Sequence, residues 1–119
     1  MSDKNDEKKF DLAQRTEGLL LTQDLIKNVK KTFENVEDLK QLIRSSGSDG
    51  ANYLEAQENL SEKDFVFRVK VCRKEAKESA YWLRLFKDYV PVEMDVERIK
   101  LEDEAMQLTR IFRAIINRR

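Results

Sequence analysis

Apolar residues recur along this chain with the three- and four-residue spacing of amphipathic helices. The first such segment runs from Phe10 to about Phe33. Its main apolar stripe has a spacing of seven residues and consists of Leu12, Leu19, Ile26 and Phe33. Leu21 and Leu25 extend the apolar surface further around the helix than a monomeric bundle needs. The pattern therefore predicts a first helix with a second contact surface.

A second amphipathic segment extends from Val36 to about Asn59. Ser46 and Gly50 fall on its inward stripe, where small residues allow close helix approach. Residues 45–50 (SSGSDG) have the composition of a loop, because each glycine in a helix interior costs about 1 kcal/mol relative to alanine. The stripe nevertheless keeps its phase across these residues, so helix and loop are both open interpretations.

The third segment begins with a predicted N-cap, Ser61, followed by acidic residues in the first turn. It continues to Val90, since Pro91 cannot extend a helix. At about 28 residues, it would be roughly 42 Å long. Two apolar stripes run along it, one through Phe65 and Leu83 and the other through Trp82, which predicts burial on two sides.

A last helix is predicted from Asp95, as N-cap, to about Asn117. Four helices with short connections indicate an all-α, antiparallel up-down-up-down four-helix bundle. Residues 1–9 are polar and of mixed charge, and we expect them to form a disordered tail. Residues 10–119 then form a single bundle domain.

Composition supports a helical, cytoplasmic protein. The 119 residues include only 3 Gly and 1 Pro, which are too few turn-forming residues for an all-β chain. Basic and acidic residues balance at 23 each, so any attraction to nucleic acid must be local. The single cysteine excludes an internal disulfide, and we see no signal peptide or long apolar run, so we expect neither secretion nor membrane insertion.

Several polar residues fall in segments that otherwise resemble helix core. They are Arg44, Asn52, Glu55, Glu75, Glu78, Tyr81 and Trp82. An unpaired buried polar group costs roughly 1–3 kcal/mol, so these residues need partners. We interpret them as a buried polar network that fixes helix register, with Arg73 as a further partner. The three glutamates have two alternative roles, as general acids or as ligands of a hard cation.

The residue inventory argues against an enzyme. The chain has no histidine, which excludes the Glu-x-x-His di-iron sites of other bundles and any Ser-His or Cys-His nucleophile pair. Cys72 lies at an apolar helical position, where inert buried thiols are common. We therefore predict no catalytic residue, cofactor, metal or small-molecule substrate.

Basic residues concentrate on the third helix and at the C-terminal end. The candidate nucleic-acid contacts are Arg68, Lys70, Arg73, Lys74, Lys77, Arg84, Arg110, Arg113, Arg118 and Arg119. Such residues can bind phosphate, while Tyr81 and Trp82 can stack on bases. The alternatives are a solvated helix face and, for the terminal arginines, stabilisation of the helix dipole.

Six segments give the chain a resemblance to a known family. They are residues 10–13 (FDLA), 41–45 (QLIRS), 50–56 (GANYLEA), 61–65 (SEKDF), 74–78 (KEAKE) and 81–83 (YWL). In order and spacing they resemble the four-helix-bundle proteins encoded by intervening sequences in bacterial 23S rRNA genes, which carry a ribosomal protein S23-like label. The family pattern usually has an apolar residue at the position of Asp49.

The resemblance implies a ring-like homopentamer and a helical conformation for residues 45–50. Members are generally of unknown function, and a similar bundle is the accessory protein of diversity-generating retroelements, where it resembles a nucleic-acid and reverse-transcriptase binder. We therefore expect a non-enzymatic oligomeric protein with a structural or interaction role. An RNA-binding module with an RNA or ribonucleoprotein partner is the alternative.

Overall fold

The chain folds into helices joined by short connections. The computed structural model describes residues 12–18, 22–27, 29–32, 34–58 and 61–119, and in these ranges it contains α-helices and no strand, which confirms the all-α prediction. The α-helices are α1 (residues 12–18), α2 (Thr22–Ile26), α3 (Val36–Ala56), α4 (Glu62–Leu85) and α5 (Asp95–Asn117). The predicted tail, residues 1–9, lies outside the described residues.

The longest helix, α4, packs along both α3 and α5 and therefore lies between them. The short α2 contacts α3 and α5 as well. Two 3-10 turns, Phe86–Asp88 and Val92–Met94, connect α4 to α5 on either side of Pro91. Helix α4 is thus packed on two sides, by α3 and by α5.

The first helical region ends earlier than predicted, at Ile26 instead of Phe33. A polar turn replaces the end of that helix. The buried Asn35 side chain accepts a hydrogen bond from the Thr32 backbone N–H at 2.9 Å and donates one to the Lys30 carbonyl at 2.9 Å. The Asn35 side chain thus forms hydrogen bonds with backbone groups that a continued helix would have paired within itself. The predicted stripe positions Leu19 and Phe33 lie outside the described residues.

Helix α3 is continuous through residues 45–50, so the loop interpretation was wrong and the helix that the resemblance implied is present. Packing offsets the glycine penalty. A methyl group added at Gly50 would lie 3.7 Å from the Thr16 backbone, which shows how closely α1 approaches α3 at this point. The hydroxyls of Ser45 and Ser46 also donate to helix carbonyls one turn back, at 3.3 Å each, instead of opening the backbone.

The ends of α4 and α5 follow the sequence signals in part. Ser61 is the N-cap of α4, and its side chain accepts a hydrogen bond from the Asp64 backbone N–H at 3.2 Å, as predicted. The α-helix ends at Leu85, and the chain tightens into a 3-10 turn before Pro91. Asp95 is the first residue of α5 and not its N-cap, because its carboxylate accepts from Arg98 Nε at 2.7 Å.

The apolar core consists of two clusters along the helix axes. The first contains Leu12, Tyr53, Ala56, Val69, Cys72, Ala76, Ala80, Ala105, Leu108 and Phe112. The second contains Leu25, Ile26, Val29, Leu39, Leu42, Leu83, Phe86, Val90 and Leu101. Leu25 is therefore core, which corrects its predicted place on a second contact surface of the first helix. On α3, the stretch between Leu42 and Tyr53 belongs to neither cluster.

Candidate functional site

Small polar side chains occupy the inward face of α3 between Leu42 and Tyr53, outside the two apolar clusters. Ser45, Ser46 and Asp49 are all fully buried. The Ser45 hydroxyl accepts a hydrogen bond from Ser79 of α4 at 3.0 Å, and the Ser46 hydroxyl accepts one from Thr22 of α2 at 2.9 Å. These hydroxyl pairs tie three helices together at one level of the core.

An ion-pair cluster lies beside this layer, at the contact between α3 and α4. The Arg44 guanidinium donates to both carboxylate oxygens of buried Glu75, at 3.2 and 3.1 Å, and to Glu78 at 2.7 Å. Arg44 is half-exposed, so it reaches inward from the surface to neutralise a buried charge. The hydrogen bond to Glu78 is the main cause that raises the pKa of the Arg44 guanidinium; partial burial opposes it, and the charge of Glu75 adds to it. The cluster holds α3 and α4 in one register.

Asn52 forms a separate contact between the same two helices, about two turns further along α3 than Arg44. Its amide donates to the Ser48 carbonyl and hydroxyl, both at 2.9 Å, and its oxygen accepts from Arg68 at 3.1 Å. Arg68 is thereby committed to a structural contact, although the sequence placed it among the nucleic-acid candidates. Asn52 is only partly buried.

Besides Arg44, two other members of the predicted buried network are on the surface. Glu55 is exposed because the inward face of α3 passes through Tyr53 and Ala56, on either side of it. Tyr81 is 50% exposed, since Ala80 takes the inward position on α4. Its ring stacks edge-on against Trp82, with ring centroids 4.9 Å apart. Arg73, the predicted further partner, is partly buried.

Trp82 lines a shallow groove of about 480 Å³ between α3 and α4. The other lining residues are Gln41, Arg44, Lys77, Glu78 and Tyr81. The indole N–H of Trp82 is buried and has no hydrogen-bond partner within the described part of the chain. The groove is open and mostly apolar, with the Arg44 ion pairs at its side.

Asp49 is the strongest polar anomaly, and sequence reasoning did not place it in the network. Its side chain is fully buried, and neither carboxylate oxygen has a hydrogen-bond partner among the described residues. Burial, with a smaller contribution from the negative charge of Glu75, raises the pKa of Asp49 to about 8. A neutral, protonated side chain at pH 7 follows. The available signal was the family pattern, which usually has an apolar residue at this position.

Cys72 and Arg98 are two further buried groups that can carry a charge. Cys72 is buried in the first apolar cluster, and burial is the main cause that raises the pKa of its thiol well above the ordinary value. This environment is that of an inert structural cysteine. Buried Arg98, which the sequence gave no reason to single out, is satisfied by Asp95, Glu102 at 3.1 Å and the Leu83 carbonyl at 3.3 Å.

The candidate nucleic-acid residues divide into paired and unpaired side chains. Arg84 lies 3.5 Å from Glu102, Lys74 lies 3.9 Å from Glu78, and Arg119 binds Glu62 at 3.1 Å while stacking on Phe65. Six other cations make no ion pair with any described residue; they are Lys70, Arg73, Lys77, Arg110, Arg113 and Arg118. The basic surface thus has its unpaired charges on α4 and on the end of α5.

The described residues contain no group of three or more Cys, Asp or Glu side chains arranged to hold a metal ion. Nor does any helix within the described ranges have the length and apolar character needed to cross a membrane. The geometry is therefore that of a polar core layer, an ion-pair cluster and exposed helix faces.

Comparison with solved structures shows a likeness over most of the chain. The chain is similar to a crystal structure of a protein with unknown function from the S23 ribosomal protein family of Bacteroides thetaiotaomicron, with a TM-score of 0.62 and 26% sequence identity. The match covers 92% of this chain and 95% of that one. No family model and no curated protein matches the chain. The likeness extends over nearly the whole length of both proteins and agrees with the family that the sequence motifs resemble.

Proposed function

We propose that this chain is a non-enzymatic scaffold of the S23-like, rRNA-intervening-sequence family, built as an antiparallel up-down four-helix bundle that assembles into a ring-like homopentamer. In this arrangement α1 and α2 together take the place of the first helix of the bundle. The observation that carries the proposal is a pair of exposed apolar faces, one on α3 and one on α5, with α4 lying between those two helices.

The first apolar face is at the start of α5. Val96 and Ile99 are exposed on one side of α5 at three-residue spacing, and exposed Val92 lies just before them in the 3-10 turn. Met106 lies two turns beyond Ile99 and is also exposed. Scattered single apolar residues on a surface need no explanation, but a group of neighbouring ones marks an interaction surface.

The second apolar face is on the outside of α3. Ile43, Ala51 and Leu54 are exposed along one stripe, with Gly47 between the first two. The small residues at 47 and 51 leave a shallow depression between the two larger side chains. A helix from another molecule can approach closely at such a place.

Two different apolar faces favour a ring over a two-fold dimer. A two-fold interface uses the same patch on both subunits, whereas a head-to-tail contact joins two different patches and closes into a ring when the rotation allows. The α5 face of one subunit against the α3 face of the next meets this requirement. The number five follows from the family resemblance. The chain has no histidine, and its described residues form no metal-binding cluster, so we propose a structural role for the ring.

The test is the mass of the purified chain by light scattering at micromolar concentration. We expect a particle of about five times the 14.1 kDa of one chain. The double variants Ile43→Glu with Leu54→Glu and Val96→Glu with Ile99→Glu should each be monomeric, because either blocks one half of the head-to-tail contact. A charge-matched control, Lys70→Glu on α4, should keep the wild-type mass.

Mixing the two double variants distinguishes a head-to-tail contact from a symmetric one. Each variant keeps one intact face, so an equimolar mixture should form a heterodimer and nothing larger. A wild-type chain that is strictly monomeric, or two variants that stay monomeric after mixing while the wild type is a ring, would contradict the proposed contact.

A further inference from the structure

The outer face of α4 combines aromatic and basic side chains at regular helical spacing. We call it the α4 stripe; its members are Phe67, Lys70, Lys74, Lys77, Tyr81 and Arg84. All six are exposed, and the two aromatic rings are 60% and 50% accessible. Two solvent-facing aromatic residues therefore bracket three lysines on one side of a helix.

The positive charge of the α4 stripe is not cancelled by the acidic residues of its own helix. Glu75 is buried and held by Arg44, and Glu78 accepts from the same guanidinium. Lys74 lies at the long distance of 3.9 Å from Glu78, while Lys70 and Lys77 make no ion pair within the described ranges. Arg44 of α3 offsets one of these two negative charges, and the second is contacted by Lys74 only at long distance, so Lys70 and Lys77 are left to meet an outside anion.

We propose that the α4 stripe binds single-stranded nucleic acid, with the lysines contacting phosphates and with Phe67 and Tyr81 stacking on unpaired bases. A positively charged surface that follows the backbone, with aromatic rings as stacking platforms, is the common solution for binding single strands without sequence preference. The two rings are 14 residues apart, or about 21 Å along the helix. A single strand lying along α4 can contact both.

The charge of the stripe favours a nucleic acid over a protein partner. The centres of protein interfaces are depleted in lysine, and a second copy docked here would have to bury three lysines with the aromatic rings. A duplex is disfavoured for another reason, since its bases are already stacked and cannot reach Phe67 or Tyr81. The α4 stripe also lies apart from the apolar faces proposed for assembly, so the two proposals do not depend on each other.

The experiment measures binding of the full chain to a labelled oligouridine 20-mer and to a 20-base-pair RNA duplex, at two salt concentrations. We expect tighter binding of the single strand, with affinity that falls as salt rises. Trp82 is the only tryptophan and contacts Tyr81, so its fluorescence should also change when a base stacks on the tyrosine ring.

Two sets of variants separate stacking from charge. Phe67→Leu with Tyr81→Leu keeps the surface apolar but removes the rings, and should weaken single-strand binding about ten-fold or more with little change in salt dependence. Lys70→Gln with Lys77→Gln should reduce the salt slope by about 0.7 for each lysine. The matched control, Lys40→Gln with Lys100→Gln on α3 and α5, should leave both quantities nearly unchanged.

Three results would overturn the proposal. The first is no binding of the single strand at low salt, and the second is a loss of affinity in the Lys40→Gln, Lys100→Gln control equal to that in the Lys70→Gln, Lys77→Gln variant. The third is duplex binding as tight as single-strand binding, with the leucine variants having no effect on affinity. Light scattering on the same leucine variants provides a further check, because a loss of oligomer mass would assign Phe67 and Tyr81 to a contact between copies. A wild type that is monomeric but still binds oligouridine would contradict the proposed ring and leave the proposed nucleic-acid site standing.

Discussion

Asp49 and Glu75 are two carboxylates buried to nearly the same degree, at 0% and 5% exposure, on facing helices of one core. Their surroundings are opposite. Glu75 receives two hydrogen bonds from the Arg44 guanidinium, which reaches it from the protein surface. Asp49 receives none from the described residues and lies on the inward stripe of α3, next to buried serines. The same chemical group is thus paired with a cation in one place and buried without one among the described residues in the other.

Side-chain length explains how this difference arises. Arg44 lies at the edge of the contact between α3 and α4, where its long stem can keep the head both solvated and within reach of Glu75. Asp49 has a short side chain on the inward face of α3, where no cation among the described residues forms a hydrogen bond with it. A buried carboxylate without a cation lowers its free energy by taking up a proton, which is why burial raises its pKa to about 8.

The largest predicted effect is a dependence of stability on pH that comes from Asp49. Its folded-state pKa lies above the ordinary value of 3.8, so its contribution is complete below about pH 4 and is lost as pH rises towards 8. The slope is up to about 1.4 kcal/mol per pH unit, which gives of the order of 4 kcal/mol across the window. The measurement is the free energy of unfolding in urea between pH 5 and 9.

Asp49→Asn is the control for this effect, because the amide has similar size and does not titrate. Subtracting its stability from that of the wild type removes the contribution of other groups, including Asp95, whose pKa is lowered chiefly by its hydrogen bond to Arg98. The wild type should lose stability relative to the variant as pH rises. A difference that is constant from pH 5 to 9 would mean that Asp49 is ionised or solvated throughout.

The second prediction removes the cation that makes Glu75 different from Asp49. Arg44→Ala leaves a buried carboxylate without its partner and should destabilise the fold by about 3 kcal/mol, at the lower end for a broken buried pair because Arg44 is half-exposed. Thermal and urea unfolding at pH 7 measure the change. Combining Arg44→Ala with Glu75→Gln should recover part of the loss, and no recovery would show that the stem of Arg44 matters more than its charge.

A third, smaller prediction links the two carboxylates. Glu75→Gln keeps an acceptor for Arg44 and removes the negative charge, so it should cost only about 1 kcal/mol at neutral pH. That charge is the second cause of the raised pKa of Asp49, so the pH at which stability is lost should move down by a fraction of a unit. The pH series with the single variant tests this shift; an unchanged midpoint would mean that desolvation alone sets the pKa.

The sequence predicted the parts of the fold that depend on periodicity. The start of α4 with its N-cap at Ser61, and the end of α5 near Asn117, followed from apolar spacing and local signals, whereas α4 ends at Leu85 and not at the predicted Val90. The early end at Ile26 did not follow from these signals, because the turn there depends on one buried asparagine that bonds to backbone atoms several residues away. Such a contact leaves no periodic trace in the sequence.

The candidate site was predictable to the level of residue type but not of pairing. Glu75, Glu78 and Arg44 were all placed in the predicted network, although the sequence did not say which pairs with which. The exposure of Glu55 and Tyr81 depends on which of two adjacent positions turns inward. Asp49 was overlooked because a charged residue in a Ser-Gly stretch is typical of a loop. Only a continuous α3 puts its side chain in the core.

The smallest predicted effect concerns Lys74, the second cation near the Arg44 cluster. Its ammonium lies 3.9 Å from Glu78 and is largely exposed, whereas Arg44 contacts the same carboxylate at 2.7 Å. Exposed pairs at this helical spacing contribute about 0.3 kcal/mol, so Lys74→Ala should change the free energy of unfolding by no more than that. Urea unfolding at low and high salt measures it. A loss of more than about 1 kcal/mol would mean that Glu78 needs both cations, and that the contrast between Glu75 and Asp49 rests on a wider charge network than the Arg44 guanidinium alone.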